Sequence, residues 1–173
     1  CPVARAAEIL TERWVPLLVR ELLCGSVRFN DLQRGVPRMS SSLLSRRLKE
    51  LEHAGIVDIR PMAKGRGSEY HLTDAGKELY PVIEGMGAWA QRWVRDDLVV
   101  ADNLDPDLLM WDIHRRIQTH HLPDGQTVLC FSFNDLDKHK TWWLVIEGED
   151  VDLCTEDTGK DVDLYVTTEL RTM

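Results

Sequence analysis

Between Met39 and Val57 the chain reads MSSSLLSRRLKELEHAGIV, in which Ser40, Ser41 and Ser42 are followed by Ser45, Arg46, Arg47 and Lys49. Hydroxyls and cations at this spacing suit one chemistry, the binding of phosphates and of the acceptor-rich edges of bases. Serines at a helix start donate to phosphate alongside the helix's free N–H groups and its dipole. Arginine and lysine reach guanine O6 and N7 or phosphate oxygens, arginine with two parallel bonds. Further on, MAKGRG sets Lys64 and Arg66 in a glycine-containing loop, a second cationic feature with the reach for adjacent backbone or minor groove.

These residues need elements to present them. With Ser40 as N-cap, Leu44, Leu48 and Leu51 fall at i, i+4 and i+7 as a core stripe, while Ser42, Ser45, Arg46 and Lys49 line the far side. Arg47 lies on the boundary, where a phosphate contact and an ion pair with Glu50 or the neighbourhood of Glu52 suit it equally. The helix is predicted to end at Ala54 and Gly55, and IVDIRP and SEYHLT to form a hairpin with a cationic tip. Upstream, the spacing predicts a helix over Val3–Leu10 behind Pro2, and a second over Trp14–Leu22 with Pro16 in its first turn. A third follows, capped by Asn30 with Gln33 reaching back, and ended by Gly35 and Pro37. Capped helix, turn, basic helix and basic-tipped hairpin is the order of a winged helix-turn-helix. The plain alternative for the basic stripe is a solvated helix face.

Thr73 and Asp74 start a further helical stretch, which Pro81 should break or kink. Its apolar residues Val82, Ile83, Met86, Trp89, Ala90 and Trp93 recur at threes and fours and exceed what one small domain needs for its core. A second copy of the chain would bury them, as would the second half of the same chain.

Taken together, Cys1 with Pro2, Trp14, RFNDLQRGVP, SSLLSRRLKELEHAGIV and EYHLTDAG resemble the HxlR type of bacterial winged-helix regulator over roughly residues 1–95. The resemblance implies a homodimer, built from the terminal helices, that binds double-stranded DNA at an inverted repeat near promoters, with repression the expected mode. It also implies a role for Cys1, since a cysteine beside the first helix can serve such proteins as a redox or electrophile switch. A thiol at a helix N-terminus has its thiolate favoured by the dipole, although simple packing would place a cysteine there too. The chain departs from the family pattern at Thr11 and Glu12, where glycine is usual, and at Ser41 and Ser42, where proline and a basic residue are common.

The two halves differ in charge. Residues 1–97 carry 15 Lys and Arg against 13 Asp and Glu, a balance of +2, whereas residues 98–173 carry 6 against 16, a balance of −10. The chain is therefore read as α+β, with a winged helix-turn-helix domain over 1–97, a linker over 98–106, and a smaller α+β domain over 107–173. In that domain DLLMWDIHRRI reads as a helix, and QTVLCFSF, TWWLVIE, DVDLCTE and DVDLYVTT as strands of a mostly antiparallel sheet. LMWDIHRR, WWLVIE, VDLC and DVDLYVTT resemble a sterol-carrier-protein-like domain, which implies an apolar tunnel, and the chain ends at ELRTM before the helices that complete such a fold. Met110, Trp111, Phe131, Phe133, Trp142 and Leu144 are the expected lining for a lipophilic effector. A sheet covered on both faces explains the same apolar residues with no ligand.

Other chemistries find little footing. The four cysteines form no CxxC, and the six histidines show no zinc-ligand spacing beyond His120 and His121, so neither a metal nor a cofactor is expected. Nucleophile elbow, P-loop, dinucleotide turn and paired-carboxylate motifs are missing, which argues against an enzyme. No run approaches the roughly 20 apolar residues that cross a bilayer, so a cytoplasmic protein without membrane partners is expected. The competing function is a lipid-binding module whose winged helix serves protein contacts.

Overall fold

The computed structural model describes residues 1–63, 66–94, 104–138 and 140–173, in two compact units, Cys1–Val94 and Arg95–Met173. The first unit opens with helices α1 (Pro2–Leu10), α2 (Val15–Leu23), α3 (Phe29–Gly35) and α4 (Ser41–His53). α1 and α2 each carry proline in the first turn, where its missing N–H costs no helical bond. Trp14, the N-cap of α2, has φ 79°. A bulky residue holds that left-handed conformation only where its surroundings fix it. Its ring packs on the core and lies 4.9 Å from the Arg13 guanidinium.

α3 starts one residue before Asn30, with Arg28 at the N-cap and no side-chain cap, so the predicted Asn30 capping box does not form. The cause is non-local. Val27 and Arg28 run extended beside the hairpin, the Tyr70 N–H donating to the Val27 carbonyl at 2.8 Å, and the chain turns helical only after Arg28. Gln33 instead closes the α3–α4 turn, its side-chain amide donating to the carbonyls of Val36 and Met39 at 3.3 and 2.6 Å.

β1 (Val57–Pro61) and β2 (Ser68–Leu72) pair antiparallel, Val57 opposite Leu72 and Pro61 opposite Ser68. Thr73 caps the short α5 (Asp74–Lys77) by accepting from the Gly76 N–H at 3.1 Å, and its hydroxyl donates to the Gly55 carbonyl at 2.6 Å. The helical stretch breaks before α6 (Tyr80–Trp93), with Pro81 in the new first turn. Leu44, Leu48 and Leu51 are buried among Leu18, Val19 and Leu22 of α2, Leu32 of α3, and Ile56 and Val57. At about 1.5–3 kcal/mol per buried leucine, this stripe fixes which face of α4 looks outward.

In the second unit α7 (Pro106–Arg116) is capped by Asp105, whose carboxylate accepts from the Leu108 N–H at 3.0 Å. Strands β3 (Gln126–Phe133), β4 (Thr141–Glu147), β5 (Asp150–Cys154) and β6 (Leu164–Thr168) form a sheet in the order β5-β4-β3-β6. β3–β4 and β4–β5 pair antiparallel, and β6 runs parallel to β3 with Leu164 beside Leu129. Met110 of α7 joins Leu129, Phe131, Phe133, Trp142, Leu144 and Ile146 in one core. Trp142 donates from its indole to Asp107 at 3.0 Å, and His114 meets the Val151 carbonyl at 2.8 Å, pinning both ends of α7. The connection from β5 to β6 joins opposite edges of the sheet, so it crosses a face. Val128, Cys130 and Val145, on the face away from α7, are buried, and the Cys130 thiol feels the charge of Asp157 within that connection.

Candidate nucleic-acid interface

α4 presents its hydroxyls and cations outward because its leucines are committed inward. The Ser40 hydroxyl oxygen accepts from the Leu43 N–H at 3.3 Å and lies 3.3 Å from the Ser42 hydroxyl, so the cap organises the serine cluster. Ser40, Ser41, Ser42, Ser45, Arg46 and Lys49 are all exposed. The Arg46 side chain is 64% exposed, its Nε 3.7 Å from Glu50 Oε1, a loose pair that leaves the guanidinium in water.

Arg47 behaves differently. Its side chain is only 12% exposed and is clamped between two carboxylates, Glu50 Oε2 at 2.5 Å and Glu12 Oε2 at 2.5 Å. Of the two roles open to this boundary residue, the ion pair is the one formed. The hydrogen bond to Glu50 raises the guanidinium pKa above its usual value, burial opposes this, and the charges of Glu50 and Glu12 add to the rise. Sequence reasoning missed Glu12, which lies between α1 and α2 and outside any local pattern of α4.

At the hairpin Arg66 is exposed, while Lys64 lies outside the described residues. Arg60 on β1 is also exposed, 2.7 Å from Asp58. It is a further cation near the tip that the sequence reading did not single out.

The stripe on α6 divides. Ile83 packs on the core of its own unit and Ala90 is half-buried, but Val82, Met86, Trp89 and Trp93 are exposed, Trp93 to 68%. They sit at i, i+4, i+7 and i+11, one continuous apolar face. Tyr80, on the opposite side of the helix, is exposed as well and donates to Glu84 at 3.2 Å. Cys1 is exposed at the N-cap of α1 with no side-chain cap bond.

In the second unit the six expected pocket residues do not all converge. Met110, Phe131, Phe133, Trp142 and Leu144 pack on one another, Phe133 edge-on to Trp142 at 5.5 Å, while Trp111 stacks on His114 at 4.8 Å. Among the described residues no group of three or more His, Cys, Asp or Glu side chains is arranged to hold a metal, and no helix is long and apolar enough to cross a membrane.

An α3–turn–α4 pair with a following antiparallel hairpin defines a winged helix-turn-helix, here joined to a second unit built on a sheet. The profile of the HxlR-like helix-turn-helix family matches residues 9–98, and the chain belongs to that family. It is similar to the HTH-type transcriptional regulator YvaP of Bacillus subtilis, 44% identical over 97 residues that cover 54% of this chain and 89% of YvaP. Among solved structures it is similar to PA1607, with TM-score 0.52 and 31% identity over 54% of this chain and 65% of that one. It is also similar to the oxidised form of the redox regulator HypR, with TM-score 0.50 and 30% identity over 53% of this chain and 96% of that one.

Proposed function

We propose that this chain is a sequence-specific DNA-binding transcriptional regulator that acts as a homodimer. α4 enters the major groove with Arg46 and Lys49 toward base edges and the Ser40–Ser42 cluster on phosphate, and the hairpin bearing Lys64 and Arg66 follows the adjacent backbone. The observation that carries this reading is the sorting of α4 into a fully buried leucine stripe and an exposed Ser/Arg/Lys stripe. The likeness to YvaP, a transcriptional regulator, supports it. The exposed face of Val82, Met86, Trp89 and Trp93 supports a two-fold mate. Such a dimer reads an inverted repeat with half-sites about one helical turn, roughly 34 Å, apart, and represses by occupying promoter DNA. Footprinting on the DNA upstream of the protein's own gene tests this: two protected half-sites at that spacing are expected, and unprotected DNA at saturating protein contradicts it.

Cys1 is the candidate redox sensor, supported by its exposure at a helix N-terminus and by the likeness to HypR, a redox regulator. The second unit, resembling sterol-carrier modules in its strand sequences, is the candidate effector module. Its apolar residues fill a core, so a lipophilic effector enters only by parting α7 from the sheet. A fatty acid or aromatic ligand that leaves the melting temperature unchanged at saturation speaks against that role.

A further inference from the structure

Two adjacent arginines on α4 have opposite fates. Arg46 keeps most of its surface in water, whereas Arg47 is 12% exposed and holds Glu50 and Glu12 at 2.5 Å each. The bond to Glu50 spans i, i+3 on one helix. Exposed pairs at that spacing are weak, but here the guanidinium is largely buried and the bond is short. The bond to Glu12 reaches the α1–α2 turn, and Glu12 itself is about half exposed. A second carboxylate, from a separate element and on the other guanidinium nitrogen, ties Arg47 to the α1–α2 turn as well as to its own helix.

We propose that Glu12 is a specificity-determining residue, holding Arg47 off the DNA and so limiting the sequence-blind phosphate contacts of α4. The inference rests on the reading of α4 as the DNA-contacting helix. Phosphate contacts strengthen binding to any sequence and carry no information about the bases. On operator DNA the base contacts fix the docking of α4, and with it which phosphates a boundary arginine can meet. On other DNA the protein is free to shift, and an unclamped Arg47 finds a phosphate in most registers. Its withdrawal therefore weakens background binding more than operator binding, and the ratio of the two governs occupancy in a genome.

The test is fluorescence anisotropy on a random-sequence duplex and on the footprinted operator across a salt series. It uses the full chain, Glu12→Gln, Arg47→Gln and the double variant Glu12→Gln/Arg47→Gln, with Glu12→Ala repeating the test without an amide at that position. Release of Arg47 is expected to steepen the slope of log K against log salt on the random duplex by about 0.9 in Glu12→Gln. The double variant returns to the wild-type slope, and Arg47→Gln alone leaves it unchanged. A wild-type slope in both Glu12 variants overturns the proposal, as does a shallower slope in Arg47→Gln, which places Arg47 on DNA already. Failure of the wild-type chain to bind either duplex overturns the α4 reading and the proposal together, whereas binding with unmoved slopes overturns the proposal alone.

Discussion

Gly76 lies against the main-chain carbonyl of Ile56 so closely that a Cβ at position 76 would stand 2.3 Å from that oxygen. The carbonyl also accepts the Thr73 N–H, so it cannot swing away without opening the junction between β2 and α5. Alanine is the better helix former by up to about 1 kcal/mol, but the clash dominates. Gly76→Ala is expected to lower stability by about 1–3 kcal/mol, read as a lower urea midpoint at unchanged m-value.

The Leu170 N–H donates to Asp135 Oδ1 at 2.8 Å, fixing the buried Leu170 of the C-terminal turn. That bond, followed by other backbone bonds and the nearby Arg171, holds the Asp135 carboxyl below the usual carboxylate range, against burial. With the folded-state pKa depressed, the contribution to stability is present above the ordinary aspartate value near 4 and is lost as pH falls below it toward the folded-state value. Protection of the Leu170 amide, measured against the unfolded-chain rate at each pH, is expected to fall over that acidic window and to be low at neutral pH in Asp135→Ala. Protection that ignores both changes contradicts the assignment.

Much of this geometry was legible because it is local. Ser40 as a cap and Leu44, Leu48 and Leu51 as a buried stripe follow from helical periodicity, and Pro81 starts α6 because it cannot sit inside a helix. The sequence misplaced the start of α3, since Val27 is held extended by Tyr70, a strand pairing no local pattern announces. For the same reason it could not foresee that β6 would pair parallel to β3. The residue types of the candidate interface were readable, but the clamp on Arg47 depends on a distant turn. Its sole hint was an acidic residue at Glu12, where the resembling proteins carry glycine.

The apolar face of α6 predicts a dimer. Sedimentation at micromolar concentration should give twice the chain mass for the wild type. Met86→Glu, which puts a charge at the centre of an already exposed face, should give a folded monomer with an unchanged far-UV spectrum. A monomeric wild type contradicts the dimer.

The cysteines should differ in reactivity. Burial pushes the Cys130 thiol pKa up, and the charge of Asp157 adds to it, whereas Cys1 is exposed at a helix N-terminus. Under native conditions alkylation is expected at Cys1 first, with Cys130 labelled only on unfolding. If Cys1 reacts no faster than free cysteine, its sensing role is lost.

The most direct measurement is the affinity of Arg46→Ala for the operator duplex, by anisotropy at fixed salt, beside the wild type and a scrambled duplex. Loss of about 1–3 kcal/mol on the operator, with a smaller loss on the scrambled sequence, is the predicted result for a residue that reads a base edge. Equal affinity of wild type and variant for both duplexes would contradict the assignment of α4 as the helix that reads DNA.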